Sequence, residues 1–82
     1  MNMPEFPEDT QVEVRYPLTP EQEHGDRGAW PWLPGEVVAR AGADEWQILV
    51  TAEELAAEEH GEITFPLCFR DASEIREPEA GQ

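Results

Sequence analysis

The chain contains no lysine. That absence excludes every reaction that needs a lysine amine, from Schiff-base chemistry to the phosphate grip of a Walker loop. Cysteine is nearly absent as well: Cys68 is the one thiol, so no internal disulfide framework can form. It stands between Leu67 and Phe69 in an apolar run, which reads as a buried, inert thiol. No apolar stretch is long enough to span a bilayer, and no membrane partner is expected. The N-terminus is acidic and broken by proline, unlike a secretion signal, so the expected location is cytoplasmic and reducing. Glycine-rich phosphate loops are missing too; Gly25 and Gly28 read as turn residues.

Positive charge is scarce. Five arginines (Arg15, Arg27, Arg40, Arg70 and Arg76) face 19 acidic residues, for a net charge of −14. Direct nucleic-acid binding needs a basic face to displace counterions, and this balance excludes one. It suits a basic protein or peptide partner, a surface that imitates nucleic acid, or plain solubility. Arginine-only basic content with abundant alanine and glutamate suggests a GC-rich bacterial or phage coding sequence. A chain of 82 residues makes one domain. Such a domain buries about 60–65% of its unfolded surface, which leaves no room for a large catalytic cleft.

Catalytic and metal constellations find no support. His24, His60, Cys68, Asp26 and Glu59 show none of the spacings of zinc sites. A Cys–His nucleophile would need Cys68 exposed beside a histidine. The pairs Glu53/Glu54 and Glu58/Glu59 have no apolar pocket to raise a pKa. They read, with Glu62, as an acidic, solvated surface. The expectation is a protein without cofactor or metal and without enzymatic activity.

What the chain does have is a dense aromatic segment. Trp30-Pro31-Trp32-Leu33-Pro34-Gly35 places two tryptophans and two prolines together, directly before a β-like run. Trp is unfavourable to expose and Pro stiffens the backbone around it. Such a segment either plugs a small core or offers a rigid aromatic surface.

The flanking patterns are mostly strands. Residues 11–18 alternate, with Val12, Val14, Tyr16 and Leu18 on one face. Residues 30–41 form a second strand, with Pro34-Gly35 as a kink or bulge inside it. Residues 45–50 form a third, hairpin-paired with the second through the turn at residues 41–44. Residues 63–69 form a fourth, with Pro66 implying an edge or a bulge, and Ile75-Arg76 a closing strand after a capped turn at residues 71–74. Thr19-Pro20-Glu21-Gln22 can cap a single helical turn. The main helix signal covers residues 51–61: Thr51 with Glu54 makes a capping box, and Gly61 sits where a helix stops. Glu54 and Glu58 repel across one turn of it. The expectation is mostly β: a small five-stranded SH3-like barrel over residues 11–78, with one short helix in the loop after the third strand. A flexible acidic arm (residues 1–10) precedes it and a tail (residues 79–82) follows.

Several of these segments resemble a known family. They are Val12-Glu13-Val14-Arg15, Gly28-Ala29-Trp30, Gly35-Glu36-Val37-Val38, Trp46-Gln47-Ile48-Leu49-Val50, Phe65-Pro66, and Ser73-Glu74-Ile75-Arg76-Glu77-Pro78. Their layout resembles the Agenet and Tudor domains of the SH3-like class. The resemblance implies an aromatic cage that takes a methylated lysine or arginine, drawing on Tyr16, Trp30, Trp32 and Phe65 with Asp26 nearby. Several π-faces and one carboxylate stabilise a partly dehydrated cation. The competing reading places these aromatics in the core. The functional expectation is a non-catalytic interaction module, monomeric or weakly dimeric, that binds a basic, Arg- or Lys-bearing peptide or protein. The alternative is an acidic mimic of nucleic acid that inhibits a DNA- or RNA-binding protein, carried by Glu53, Glu54, Glu58, Glu59 and Glu62.

Overall fold

The computed structural model describes residues 6–78. Over them the protein is mostly β, with seven strands in two sheets and one four-residue α-helix. The strands are β1 (Gln11–Arg15), β2 (Trp32–Gly42), β3 (Glu45–Val50), β4 (Ala57–Glu59), β5 (Glu62–Thr64), β6 (Leu67–Arg70) and β7 (Ile75–Arg76). The larger sheet runs β6-β3-β2-β1-β7, every pair antiparallel, and β4 pairs only with β5. This pairing leaves β6 and β7 as edges.

Strand alternation builds the core. Val12 and Val14 of β1, Leu33 and Val37 of β2, Trp46, Ile48 and Val50 of β3, Cys68 of β6 and Ile75 of β7 are buried together, joined by Ala52. Each fully buried aliphatic side chain there contributes about 1.5–3 kcal/mol. Trp46 and Ile48 are the largest fully buried side chains. Cys68 is buried, as its apolar run suggests. The apolar run around Cys68 is not buried throughout. Cys68 points inward, so Leu67 and Phe69 on either side of it point outward, 54% and 51% exposed.

Two prolines set where β3 ends. The Val50 N–H donates to Pro66 O at 2.9 Å on one side, and the Thr51 N–H donates to Pro34 O at 2.9 Å on the other. Proline has no N–H to return, so both ladders stop at that level and the chain leaves the sheet. Pro34-Gly35 is therefore not the expected bulge: register with β1 runs unbroken from Trp32 to Glu36, and the β2 irregularities lie further on, after Val37 and Arg40. Gly35 is needed for space instead. A Cβ there would lie 2.9 Å from Ile48 Cγ2 and 3.1 Å from Leu49 O.

The loop after β3 departs most from expectation. The helix expected over residues 51–61 is absent. Glu53–Leu55 forms one 3₁₀ turn, and a β4–β5 hairpin follows. Acidic repulsion and an apolar stripe made largely of alanine give a helix little to bury. His60 (φ 52°) and Gly61 (φ 83°) both adopt left-handed backbone between Glu59 and Glu62. That geometry belongs to a two-residue hairpin turn, and Gly61 serves it rather than ending a helix. The fourth expected strand is likewise split into β5 and β6 at Phe65-Pro66.

The α-helix is α1 (Pro20–Glu23), in the loop between β1 and β2. Its capping agrees with the sequence: Thr19 Oγ1 accepts from the Gln22 N–H at 3.1 Å, and proline takes the first helical position. Residues 6–10 of the expected arm dock on the sheet. Val37 O accepts from the Asp9 N–H at 2.8 Å, and the Phe6 ring meets Trp46 edge-on at 5.2 Å. The rest of the arm and the tail lie outside the described residues. No helix among those described is long and apolar enough to cross a membrane.

Candidate functional site

The sequence singles out Tyr16, Trp30, Trp32, Asp26 and Phe65, and the structure distributes them over three places. Trp30 is buried, 8% exposed, and its indole Nε1 donates to Gln22 O. It fills the loop between β1 and β2 rather than a surface. Asp26 is exposed and caps the 3₁₀ turn Arg27–Ala29, its Oδ1 accepting from the Gly28 N–H at 3.0 Å. Tyr16 is half-buried and packs on the core. Trp32 begins β2 on the outer face, half-buried. Phe65 lies between β5 and β6, half-buried.

What covers Tyr16, Trp30 and Trp32 is the chain's own arginine. Arg15 and Arg76 both lie over Trp32, each guanidinium carbon 4.3 Å from the ring centre. Arg27 and Arg70 lie over Trp30 at 5.0 and 5.4 Å, and Arg70 also approaches Tyr16 at 5.6 Å. Arg40 lies over Trp46 at 5.4 Å. Among the aromatic faces expected to receive a foreign cation, those of Tyr16, Trp30 and Trp32 therefore already hold internal ones.

The arginines are anchored at their other donors too. Arg15 Nη1 donates to Trp30 O at 2.6 Å, and Arg70 Nε to Arg15 O at 2.9 Å. Arg40 closes the β2–β3 turn through Gly42 O and Ala43 O, at 2.9 and 2.6 Å. Arg27 grips Glu74 with two bonds of 2.9 and 2.7 Å, and Arg76 bonds Glu13 at 2.6 Å. Among the described residues, these are the two ion pairs.

The acidic residues between β3 and β6 are left to solvent. Glu53 and Glu54 on the 3₁₀ turn, Glu58 and Glu59 on β4, and Glu62 on β5 are all exposed, as the sequence suggests. No residue of the hairpin strands is buried. Glu59 stands directly opposite Glu62, a like-charge cross-strand pair that disfavours the hairpin.

A further surface escaped the sequence reading. Ile63, Leu67 and Phe69 are exposed on β5 and β6. Phe69 also borders an open cleft of about 520 Å³, whose other walls include Asp44, Glu45, Asp71 and Glu74. Hydrogen bonds from Ser73 hold the Asp71 carboxyl below its ordinary range, so it stays ionised there. The alternation Leu67-Cys68-Phe69 carried the signal: an inward Cys68 forces its neighbours outward. Burial pushes the Cys68 thiol up, which keeps it protonated and a poor nucleophile.

No group of three or more metal-binding side chains occurs among the described residues. No protein-family model, curated protein or solved structure matches the chain.

Proposed function

We propose that the protein is a non-catalytic interaction module that binds a basic, Arg- or Lys-bearing protein or peptide. The observation that carries this reading is the internal engagement of all five arginines, each over a ring and each bonded to a carbonyl or carboxylate. The positive groups are engaged within the chain even where Arg27, Arg40 and Arg76 are exposed, and most of the unpaired surface charge belongs to carboxylates. The opposed Glu59 and Glu62 add support, because a cation between them would relieve their repulsion.

The fold reading that goes with this is a small SH3-like barrel related to Agenet and Tudor domains. It is supported by β1 lying between β2 and a last strand reached through the 3₁₀ turn Ala72–Glu74. The recognition surface differs from an open aromatic cage. Arg15 and Arg76 cover Trp32, so the acids rather than the rings carry recognition.

The test is calorimetric titration with an arginine-rich nonapeptide. Two variants of equal charge are compared. One replaces Glu53, Glu54, Glu58, Glu59 and Glu62 by Gln; the other replaces Glu8, Asp9, Glu21, Glu23 and Glu77 by their amides. The first should weaken binding at least about tenfold more than the second. Equal losses would reduce the effect to general charge attraction and reject a built surface.

The projecting hairpin favours a second reading. Its exposed glutamates suit an acidic mimic of nucleic acid that occupies a basic DNA- or RNA-binding protein. Displacement of a labelled duplex from a basic DNA-binding domain, lost in the first variant, would establish it.

A further inference from the structure

We propose that the free edge of β6 receives the basic partner as an added strand, an extended segment with apolar residues at alternate positions. This rests on the basic-partner reading above and names the place and manner of docking.

The register decides which groups face outward. The Val50 N–H bonds Pro66 O, so 50↔66 is a hydrogen-bonded pair. In an antiparallel ladder such pairs alternate, which makes Ile48↔Cys68 and Trp46↔Arg70 the next ones. Leu67 and Phe69 are therefore non-bonded pairs with β3, and their N–H and C=O groups point to the free side. Within the described sheet, β6 has β3 as its one neighbour. Among the described residues, no loop or turn group bonds either N–H. Phe69 O is met by its neighbour Arg70, whose Nη1 donates to it at 2.7 Å.

The same two residues expose their side chains. Leu67 is 54% exposed, Phe69 51%, and Leu49 lies opposite Leu67 on the outer face. Natural edges of this kind are guarded by lysine or by an inward-pointing charge. This chain has no lysine, and between Leu67 and Phe69 stands an uncharged cysteine. An edge that is apolar along one face, with Arg70 as its one charge, is a template for strand addition.

Charge selects the occupant. Asp44, Glu45 and Asp71 border Phe69 at one end of β6, beside Glu74 paired with Arg27, so acids outnumber the two arginines, Arg27 and Arg70, at that end. The acidic hairpin leads into β6 at the other, through Phe65-Pro66. A second copy of the chain would bring another net charge of −14 to this edge, so edge-to-edge pairing is repelled. A segment carrying arginine or lysine at its ends is attracted.

The test uses a peptide of alternating arginine and valine, eight residues long, with a glutamate–valine peptide as control. Amide hydrogen exchange is followed by NMR on the full chain. The arginine peptide should slow exchange at Leu67 and Phe69 by about tenfold or more and leave β7 unchanged. Phe69→Ser, a change at an exposed side chain, should weaken its binding about tenfold. Binding that spares both amides and tolerates Phe69→Ser would overturn the edge site while leaving the basic-partner reading intact. Absence of binding at low salt would overturn both. Concentration-dependent protection of the two amides without peptide would assign the edge to a second copy and overturn the proposal.

Discussion

The guanidinium of Arg15 lies 4.3 Å from the centre of the Trp32 ring, and Trp32 stands directly opposite Arg15 in the β1–β2 register. Arg76 reaches the same ring at 4.3 Å and is tied back to Glu13 at 2.6 Å. These three residues thus link β1, β2 and β7 across the outer face. Trp32→Ala should lower stability by about 2 kcal/mol, from lost packing and two cation–π contacts of about 0.5–1 kcal/mol each. Trp32→Phe should retain more than half of it. Urea unfolding checks both, and a neutral Trp32→Ala would show that the arginines pack equally well without the ring.

The three tryptophans should separate by solvent access. Trp46 is 2% exposed and Trp30 8%, whereas Trp32 is half-buried. In single Trp→Phe variants, acrylamide should quench Trp32 more readily than the other two. A Trp30 quenched as readily as Trp32 would contradict its place inside the β1–β2 loop.

Gly35→Ala should destabilise by about 1–3 kcal/mol, because the added methyl meets Ile48 Cγ2 at 2.9 Å and backbone oxygen of Leu49 at 3.1 Å. Gly42→Ala is the control. Nothing there lies closer than 3.7 Å, and the change should stay within about 0.5 kcal/mol. Thermal unfolding of the two variants measures the difference, and equal midpoints would remove the steric account of Gly35.

How much of this was legible depended on whether the signal was local. The strand at residues 45–50 was read with its observed bounds, since alternation around Trp46, Ile48 and Val50 is unbroken. Thr19-Pro20 announced α1 through capping chemistry that acts within four residues. Residues 51–61 failed for a tertiary reason. Their capping box was real as a pattern, but only Ala52 and Leu55 of the segment reach the core, and His60-Gly61 with the β-branched Ile63 and Thr64 favoured a hairpin. The arginine cover over the candidate aromatics was not legible for a related reason. Composition shows five arginines and three tryptophans, but not that the former stack on the latter. That pairing is created by register, and register is not printed in any short motif.

Gly61→Val should open the β4–β5 turn without unfolding the larger sheet. Gly61 has φ 83°, a left-handed conformation that a β-branched residue adopts only under strain. The hairpin strands bury no residue, so little of the global stability resides there. Amide shifts over residues 57–64 should collapse toward coil values while the Trp46 indole signal stays in place. A lowered global unfolding midpoint would instead show that the hairpin supports the core.

Cys68 offers a pH test with a definite sign. Its ordinary value is near 9.0, and burial on the inner face of β6 raises it in the folded protein; Arg70 acts in the opposite sense and Glu74 adds to the rise. The protonated thiol is the form the core accepts. Its contribution is therefore complete below about pH 9 and is lost as pH climbs from there through the folded value, because the unfolded chain ionises first. Cys68→Ala removes that titration along with one buried sulfur. At neutral pH the variant should be less stable by about 1 kcal/mol, since a small cavity replaces the thiol. As pH climbs above about 9 the gap between the two proteins should narrow, read as converging urea midpoints. A gap that stays constant would mean that the thiol is not desolvated in the fold.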